Sequence, residues 1–166
     1  SDYSTYGSTY HPNTIAGGAF NTITNYTSGA TISGGYQNTI SNGYGTITGG
    51  RYNIVNGAGT IVGDYCNLID YGISSFIAGS RSTITFSNYG SILGGCNSIC
   101  CSSHNSSILG GIYNCIYNSS CSTISGGSTH TGAGGSGGYY SGSTISGLIV
   151  TIFLDFRISV VNNSFC

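Results

Sequence analysis

The sequence contains very few charged residues. Asp, Glu, Lys and Arg together make up 4% of its 166 residues, and Lys and Glu are absent, whereas an average globular protein has about 25% charged residues. A formal net charge of −1 gives no excess of basic residues for binding nucleic acid or an anionic membrane surface. We therefore expect no nucleic-acid partner. So little charge also does little to oppose self-association.

Methionine and tryptophan are also absent, and proline occurs once. With one proline, the 29 glycines cannot form collagen or polyproline structures. Isoleucine, valine and tyrosine remain to build a core, and disordered chains typically lack such residues, so we expect the chain to fold. The longest apolar run, at 147–156, is interrupted by Asp155 and is too short to cross a bilayer, so we expect no membrane span.

A short unit of the form x-Ile-x-Gly-Gly, with some variation at the glycines, recurs along the chain. Its isoleucines are Ile15, Ile32, Ile47, Ile61, Ile77, Ile92, Ile108, Ile124 and Ile145. Successive units are 14 to 17 residues apart, except for a last step of 21. Self-similarity at a short, nearly fixed period is typical of a solenoid.

A second strand-like unit follows seven or eight residues after the first. Its isoleucines are Ile23, Ile40, Ile69, Ile84 and Ile116. The alternation in 46–48 has a period of two, which places isoleucine on one face and threonine on the other. We predict an all-β fold, a parallel β-solenoid of about eight or nine coils with two short strands per coil. At ~4.8 Å per coil, such a rod would be about 40 Å long.

An asparagine follows the glycine pair of most units at a nearly constant offset. These residues are Asn21, Asn38, Asn53, Asn67, Asn97 and Asn114. In stacked coils they would form a ladder that satisfies polar groups buried in the turns.

Four segments follow from the repeat pattern. We assign 1–12 to an N-terminal β-prone segment, 13–127 to the solenoid, 128–142 to a glycine-rich insertion, and 143–166 to the last coil and a C-terminal capping or docking strand. Each end of a solenoid is a sheet edge that can pair with another chain. We find no charged cap at either end, which favours contacts there.

The units GTITGGRYNIVNGAGTIVG at 45–63, followed by Asp64, resemble the head repeats of trimeric (YadA-like) autotransporter adhesins. Similar repeats occur in some viral and phage surface fibres. The resemblance covers roughly 13–127. It implies a left-handed parallel β-roll with about one coil per repeat, often trimeric, in an extracellular fibre or adhesin.

Solenoid hydrolases and lyases need clustered carboxylates for acid and base catalysis. Only Asp64 and Asp70 share one repeat, and the three histidines are scattered. A Gly-x-Gly-x-x-Gly match at 132–137 is followed by a strand pattern, not by the helix that a dinucleotide site requires. We therefore expect no enzyme activity, no catalytic residues and no cofactor.

The outward positions of the first strand begin as a rank of threonines, which suggests an ice-binding face. Apolar residues interrupt that face in the later coils, at Val62, Phe76, Leu93 and Leu109. An exposed apolar patch more often marks a protein contact. We predict that these four residues form a self-association patch, which is called the apolar patch below.

Five of the seven cysteines lie close together, at Cys96, Cys100, Cys101, Cys115 and Cys121. We predict disulfides between coils among them. Buried free thiols and a metal site with His104 are alternatives, but the spacing does not match a zinc finger or ribbon, so we assign no metal site.

Four Asn-x-Ser/Thr sequons occur, at Asn25, Asn105, Asn118 and Asn162. They are candidate glycosylation sites if the protein is secreted by a glycosylating cell. Many tyrosines lie near turns, among them Tyr36, Tyr44, Tyr52 and Tyr65. They are either contact residues for other chains or sugars, or simply β-formers beside turns.

The leading hypothesis is a non-enzymatic structural protein, a β-solenoid that binds copies of itself to form a surface fibre or filament. Its end contacts would involve 1–12 and 148–161. It would be extracellular or at a cell or virion surface. The alternatives are an adhesin head that binds a glycan or host surface through turn tyrosines, and an ice-binding protein.

Overall fold

A computed structural model describes residues 12–24, 27–100, 103–118, 121–128, 131–134, 144–145 and 151–154. In these ranges the chain is all-β, and it has no helix that could span a bilayer. The strands in chain order are β1 (Thr14–Ile15), β2 (Thr22–Ile23), β3 (Thr31–Ile32), β4 (Thr39–Asn42), β5 (Thr46–Ile47), β6 (Ile54–Ile61), β7 (Leu68–Ile77), β8 (Thr83–Thr85), β9 (Ser91–Ile92), β10 (Cys96–Cys100), β11 (Ser107–Ile108), β12 (Ile112–Tyr117), β13 (Thr123–Ile124), β14 (Thr131–Gly134), β15 (Thr144–Ile145) and β16 (Thr151–Leu154).

The strands stack in two columns, and every pairing is parallel. The first column contains β1, β3, β5, the C-terminal halves of β6 and β7, and then β9, β11, β13 and β15. The second contains β2, β4, the N-terminal halves of β6 and β7, and then β8, β10, β12, β14 and β16. In the described ranges the chain makes about seven turns, fewer than the eight or nine coils predicted. The predicted parallel β-solenoid is confirmed.

The core consists of two stacks of isoleucine, one behind each column. The fully buried members are Ile32, Ile40, Ile47, Ile61, Ile69, Ile77, Ile84, Ile92, Ile99, Ile108, Ile116 and Ile124. Each lies in register with the residue of the next coil, as Ile32 does with Ile47. Val55 and Ile99 occupy second-column positions that the sequence pattern had not marked. Burial of one such side chain stabilises the fold by roughly 2 kcal/mol.

Each coil turns sharply at the glycine pair that follows the first-column strand. The second glycine of the pair in the third coil, Gly50, has a φ of 81°. A Cβ atom at Gly50 would collide with the carbonyl oxygen of Asp64 in the next coil. Both the left-handed φ and the close stacking of the coils therefore require glycine at this position.

The C-terminal region differs from the prediction. The glycine-rich insertion expected at 128–142 contains β14, which is a rung of the second column. Gly132 lies in register between Ile116 and Ile152, so the C-terminal strand also continues the column. Backbone pairing needs no side chain. The repeat was recognised by its isoleucines, so a strand with glycine at this position was not predicted. The N-terminal segment up to residue 11 lies outside the described residues.

Candidate functional site

The predicted Asn ladder lies along the corner between the two columns. The Asn53 side chain accepts a hydrogen bond from the backbone N–H of Asn67 at 3.0 Å. Its Nδ2 donates to the carbonyl oxygens of Gly49 at 3.0 Å and Asp64 at 3.1 Å. Each such amide therefore closes its own turn and joins that turn to the next coil. The same pattern of donation to both turns recurs at Asn21, Asn38, Asn67 and Asn114.

In the fifth coil a serine occupies the ladder position. The sequence pattern did not predict this residue as part of the ladder. The backbone N–H of Ser82 donates to Oδ1 of Asn67 at 3.0 Å, and its hydroxyl donates to the carbonyl oxygen of Gly95 at 3.2 Å. The side chain of Asn97 lies outside the described part of the chain. No buried side-chain nitrogen or oxygen in the described ranges is without a partner.

The structure brings the four residues of the apolar patch to one face of the first column. Val62, Leu93 and Leu109 directly follow buried isoleucines and are 45%, 51% and 45% exposed. Ala78 lies between Val62 and Leu93 in the same rank. Phe76 is half-buried in the neighbouring rank, opposite Thr60 and Ser91. The patch therefore spans four consecutive coils.

The predicted threonine rank occupies the other end of that face. Its members pair in register along the first four coils, at Thr14, Thr31, Thr46 and Thr60. The rank ends at Phe76, which lies opposite Thr60, and serine follows at Ser91. The first-column face therefore presents a rank of threonines in the first four coils and the apolar patch in the fourth to seventh coils.

An aromatic ladder runs along the corner outside the Asn ladder. Ring centroids are 5.5 Å apart for Phe20–Tyr36, 5.9 Å for Tyr36–Tyr52 and 5.6 Å for Tyr52–Tyr65, and each pair is edge-to-face. The guanidinium carbon of Arg81 lies 5.7 Å from the Tyr65 centroid, which continues the ladder with a cation–π contact. The sequence marked the tyrosines individually, but not Phe20 or the contacts that join them.

An open groove of about 590 Å³ begins where the aromatic ladder ends. Glycines of successive coils line it, at Gly63, Gly79, Gly94 and Gly95. Tyr65, Arg81, Tyr113 and Val62 also line it. Asp64 also lines it.

The few charges are concentrated at this corner. The described part of the chain has two Asp and two Arg residues. Three of these four, Arg51, Asp64 and Arg81, lie on the aromatic corner. Asp64 has a φ of 78°, in the left-handed region that Gly50 adopts at the equivalent position of the preceding coil.

Tyr65 interacts with the cysteine that follows it. A hydrogen bond with the Cys66 side chain and the negative charge of its thiolate raise the pKa of the Tyr65 hydroxyl, and the positive charge of Arg81 opposes them. The Tyr65 ring, the Cys66 side chain and the Arg81 guanidinium therefore lie close together beside the groove.

The predicted disulfides are not formed by the described cysteines. Cys96 is a half-buried free thiol, Cys121 is an exposed one, and Cys115 is reduced. The strand register explains this, because Ile112 lies opposite Cys96 and Ser98 lies opposite Cys115. Cys101 and the side chain of Cys100 lie outside the described residues.

The described histidine of this region is engaged by the backbone. Nδ1 of His104 accepts a hydrogen bond from the N–H of Asn88 at 3.1 Å. Within the described ranges no three His, Cys, Asp or Glu side chains are grouped so that they could hold a metal ion.

Two of the four sequons lie in the described structure. Asn105 is exposed at a corner with a φ of 53°, and Asn118 is half-buried with a φ of 45°. Asn25 and Asn162 lie outside the described residues. Asn105 is therefore the more accessible of the two described sequons.

The aromatic corner with its groove is the candidate binding site, and the apolar patch is the candidate contact surface. The first combines ring faces, opposite charges and a concave surface. The second presents apolar side chains, with Asp64 and Arg81 near only its Val62 end. In comparisons with known proteins, no protein-family profile and no curated protein matches the chain.

Proposed function

We propose that this chain is a structural β-solenoid that binds copies of itself side by side, as the subunit of an extracellular fibre or filament. The observation that carries the proposal is the exposure of Val62, Leu93 and Leu109 in one rank of a regular face. Contiguous apolar surface of this kind is typical of protein contacts.

The chemistry of the surrounding face supports the same proposal. In the described part of the chain, the charged side chains lie on the aromatic corner or, for Asp70, beside the second column. Hydroxyl groups flank the patch instead, at Thr60 and Ser107 among others. Two copies can therefore approach face to face without bringing like charges together.

The size of the patch limits the strength of a single contact. Burial of a half-exposed aliphatic side chain contributes about 1 kcal/mol, whereas association costs roughly 4–15 kcal/mol of translational and rotational freedom. One patch against another gives weak association. Several contacts along a filament act together, because each one raises the effective concentration of the next.

The second contact would be made end to end. The sequence assigns a docking role to 148–161, and β16 in this segment pairs with β14 and extends the second column. A strand at the end of a column offers backbone groups to another chain. Deletion of 148–166 without loss of assembly would remove this contact from the proposal.

Sedimentation velocity and negative-stain electron microscopy of the purified chain test the proposal. We expect concentration-dependent oligomers or filaments, which the double variant Leu93→Thr/Leu109→Thr loses. Threonine already occupies this rank at Thr48, so the variant retains the fold. The matched control is Ile54→Thr, because Ile54 is 41% exposed on the second column, where Thr39 lies opposite it. A monomer at every concentration, or equal behaviour of the two variants, would contradict lateral self-association.

The threonine rank of the first four coils supports ice binding as a second candidate function. Four threonines in register form a regular hydroxyl surface. Thermal hysteresis of the purified chain tests this candidate, with Thr31→Lys as the variant that should abolish it. A concentrated sample without thermal hysteresis would remove ice binding.

A further inference from the structure

We propose that the groove beside Asp64 and Arg81 binds a neutral saccharide chain. This goes beyond self-association, because it gives the protein a ligand of a different class, at a surface that shares only Val62 with the apolar patch. The groove lies outside the Asn ladder, at the end of the aromatic ladder.

The first support comes from Asp64, which stands where the fold prefers glycine. The equivalent residues Gly50 and Gly95 have φ values of 81° and 75°, and Asp64 has 78°. Its carbonyl oxygen accepts hydrogen bonds from the N–H of Arg51 at 2.8 Å and from Nδ2 of Asn53 at 3.1 Å. A glycine would make both of these bonds without strain. The fold therefore uses the backbone of residue 64, and the exposed carboxylate remains for another purpose.

The second support comes from the groups that surround the carboxylate. The Arg81 guanidinium is held over the Tyr65 ring at 5.7 Å, and Tyr113 is 69% exposed at the other end of the groove. A sugar ring has an apolar C–H face that packs on an aromatic ring, and hydroxyls that both donate and accept hydrogen bonds. The carboxylate accepts from such hydroxyls, and the guanidinium donates to them.

The balance of charge selects among saccharides. Asp64 and Arg81 contribute one negative and one positive charge, so the groove has no net charge. An anionic sugar would meet the carboxylate of Asp64, and a cationic one would meet Arg81. A neutral sugar satisfies both groups, which is why we assign this class.

The shape of the groove indicates a chain of sugars and not a single ring. Its volume of about 590 Å³ lies within the range of roughly 300–1,000 Å³ found for ligand sites. Its lining residues come from successive coils, from Val62 to Tyr113, so the groove extends along the rod. From Tyr65 the aromatic ladder continues past Tyr52 and Tyr36 to Phe20, and it offers ring surface to the units of a longer saccharide.

Isothermal titration calorimetry with defined hexasaccharides tests the proposal on the full chain. The neutral probes are the β-1,4-linked hexamers of glucose and of N-acetylglucosamine and the α-1,4-linked hexamer of glucose. The anionic probe is hexagalacturonate. We expect at least one neutral probe to bind and hexagalacturonate to bind more weakly than that probe. Absence of binding by every neutral probe, or preference for hexagalacturonate, would overturn the proposal.

Asp64→Gly is the decisive variant, because it removes the carboxylate and places at residue 64 the amino acid that suits its φ. We expect it to fold and to bind the neutral probe at least about tenfold more weakly. The variant loses the hydrogen bonds between the sugar hydroxyls and the Asp64 carboxylate, and bonds to a charged group contribute enough free energy to account for this factor. The matched control is Asp70→Asn, since Asp70 bonds to Asn56 at 2.7 Å on the second column. We expect this control to bind like the natural chain.

Tyr113→Ala gives an independent check on the exposed ring and should also weaken binding. Sedimentation velocity of the same samples separates this proposal from self-association. If Asp64→Gly bound the probe as well as Asp70→Asn did, the carboxylate would have no part in binding. If Asp64→Gly dissociated oligomers while no probe bound the natural chain, the groove would belong to a contact between copies, and the saccharide proposal would be wrong.

Discussion

Nδ2 of Asn53 donates a hydrogen bond to the carbonyl oxygen of Asp64 in the next coil, at 3.1 Å. This bond joins the ladder that holds the coils together to the strained turn that lines the groove. The Asn ladder and the proposed binding groove therefore meet at one corner of the solenoid, and separate variants can test each of them.

Asn53→Ala should destabilise the fold strongly. It leaves the carbonyl oxygen of Gly49 and the N–H of Asn67 without their partner, and it removes one of the two hydrogen bonds to the carbonyl oxygen of Asp64. We expect a loss of roughly 3–5 kcal/mol, because each buried polar group left unpaired costs about 1–3 kcal/mol. Urea unfolding measures the loss. The control Asn56→Ala, on the outer side of the second column, should cost less than about 1 kcal/mol, and equal losses in the two variants would contradict a structural role for the ladder.

Asp64→Gly should leave the free energy of unfolding unchanged or raise it by about 0.5–1 kcal/mol, because it relieves a left-handed φ. The reverse change one coil earlier, Gly50→Asp, should cost about 3 kcal/mol or more, since its Cβ atom collides with the next coil. Thermal and urea unfolding compare the two variants. A marked loss of stability in Asp64→Gly would show that the carboxylate serves the fold.

Ile77→Ala should open a cavity in the first-column stack. Ile77 is fully buried and lies between Ile61 and Ile92, so we expect a loss of about 2–5 kcal/mol. The exposed Ile73 offers a matched control in the same strand. Ile73→Ala should change the free energy of unfolding by less than about 1 kcal/mol, and urea unfolding distinguishes the two results.

Cys66→Ala should lower the pKa of Tyr65, because the hydrogen bond and the thiolate charge that raise it are removed. In the natural chain the folded state holds the Tyr65 proton more tightly than the unfolded state. The protonated Tyr65 hydroxyl therefore stabilises the folded state at pH values below the ordinary tyrosine pKa. This contribution to the free energy of unfolding is lost as the pH rises through the raised pKa of Tyr65. Titration of carbon-labelled tyrosine by NMR measures the shift. An unchanged Tyr65 titration would contradict the coupling, and Cys96→Ala is the control.

The repeat of isoleucine and threonine predicted the two columns, because side-chain alternation in a strand has a fixed period and the inward residue must be apolar. Asn53 and its equivalents were predictable for the same reason, since they keep one offset from the glycine pair. The rung at Gly132 was not predictable, because a residue without a side chain carries no such pattern.

The aromatic ladder was not predictable from the sequence for a different reason. Phe20 and Tyr52 directly precede the ladder asparagine, whereas Tyr36 and Tyr65 lie two residues before it. The rings alternate between two positions from coil to coil, so no constant spacing marks them. The described cysteines form no disulfide, because closeness in sequence does not fix the register, and Cys96 lies opposite Ile112.

The amides of the Asn ladder all point the same way along the rod. Asn21 donates to Gly35, Asn38 to Gly50 and Asn67 to Gly79, each time toward the following coil. The two ends of the rod are therefore chemically different, and subunits joined end to end would share a head-to-tail orientation. A filament built in this way is polar, with unlike tips that add subunits at unequal rates.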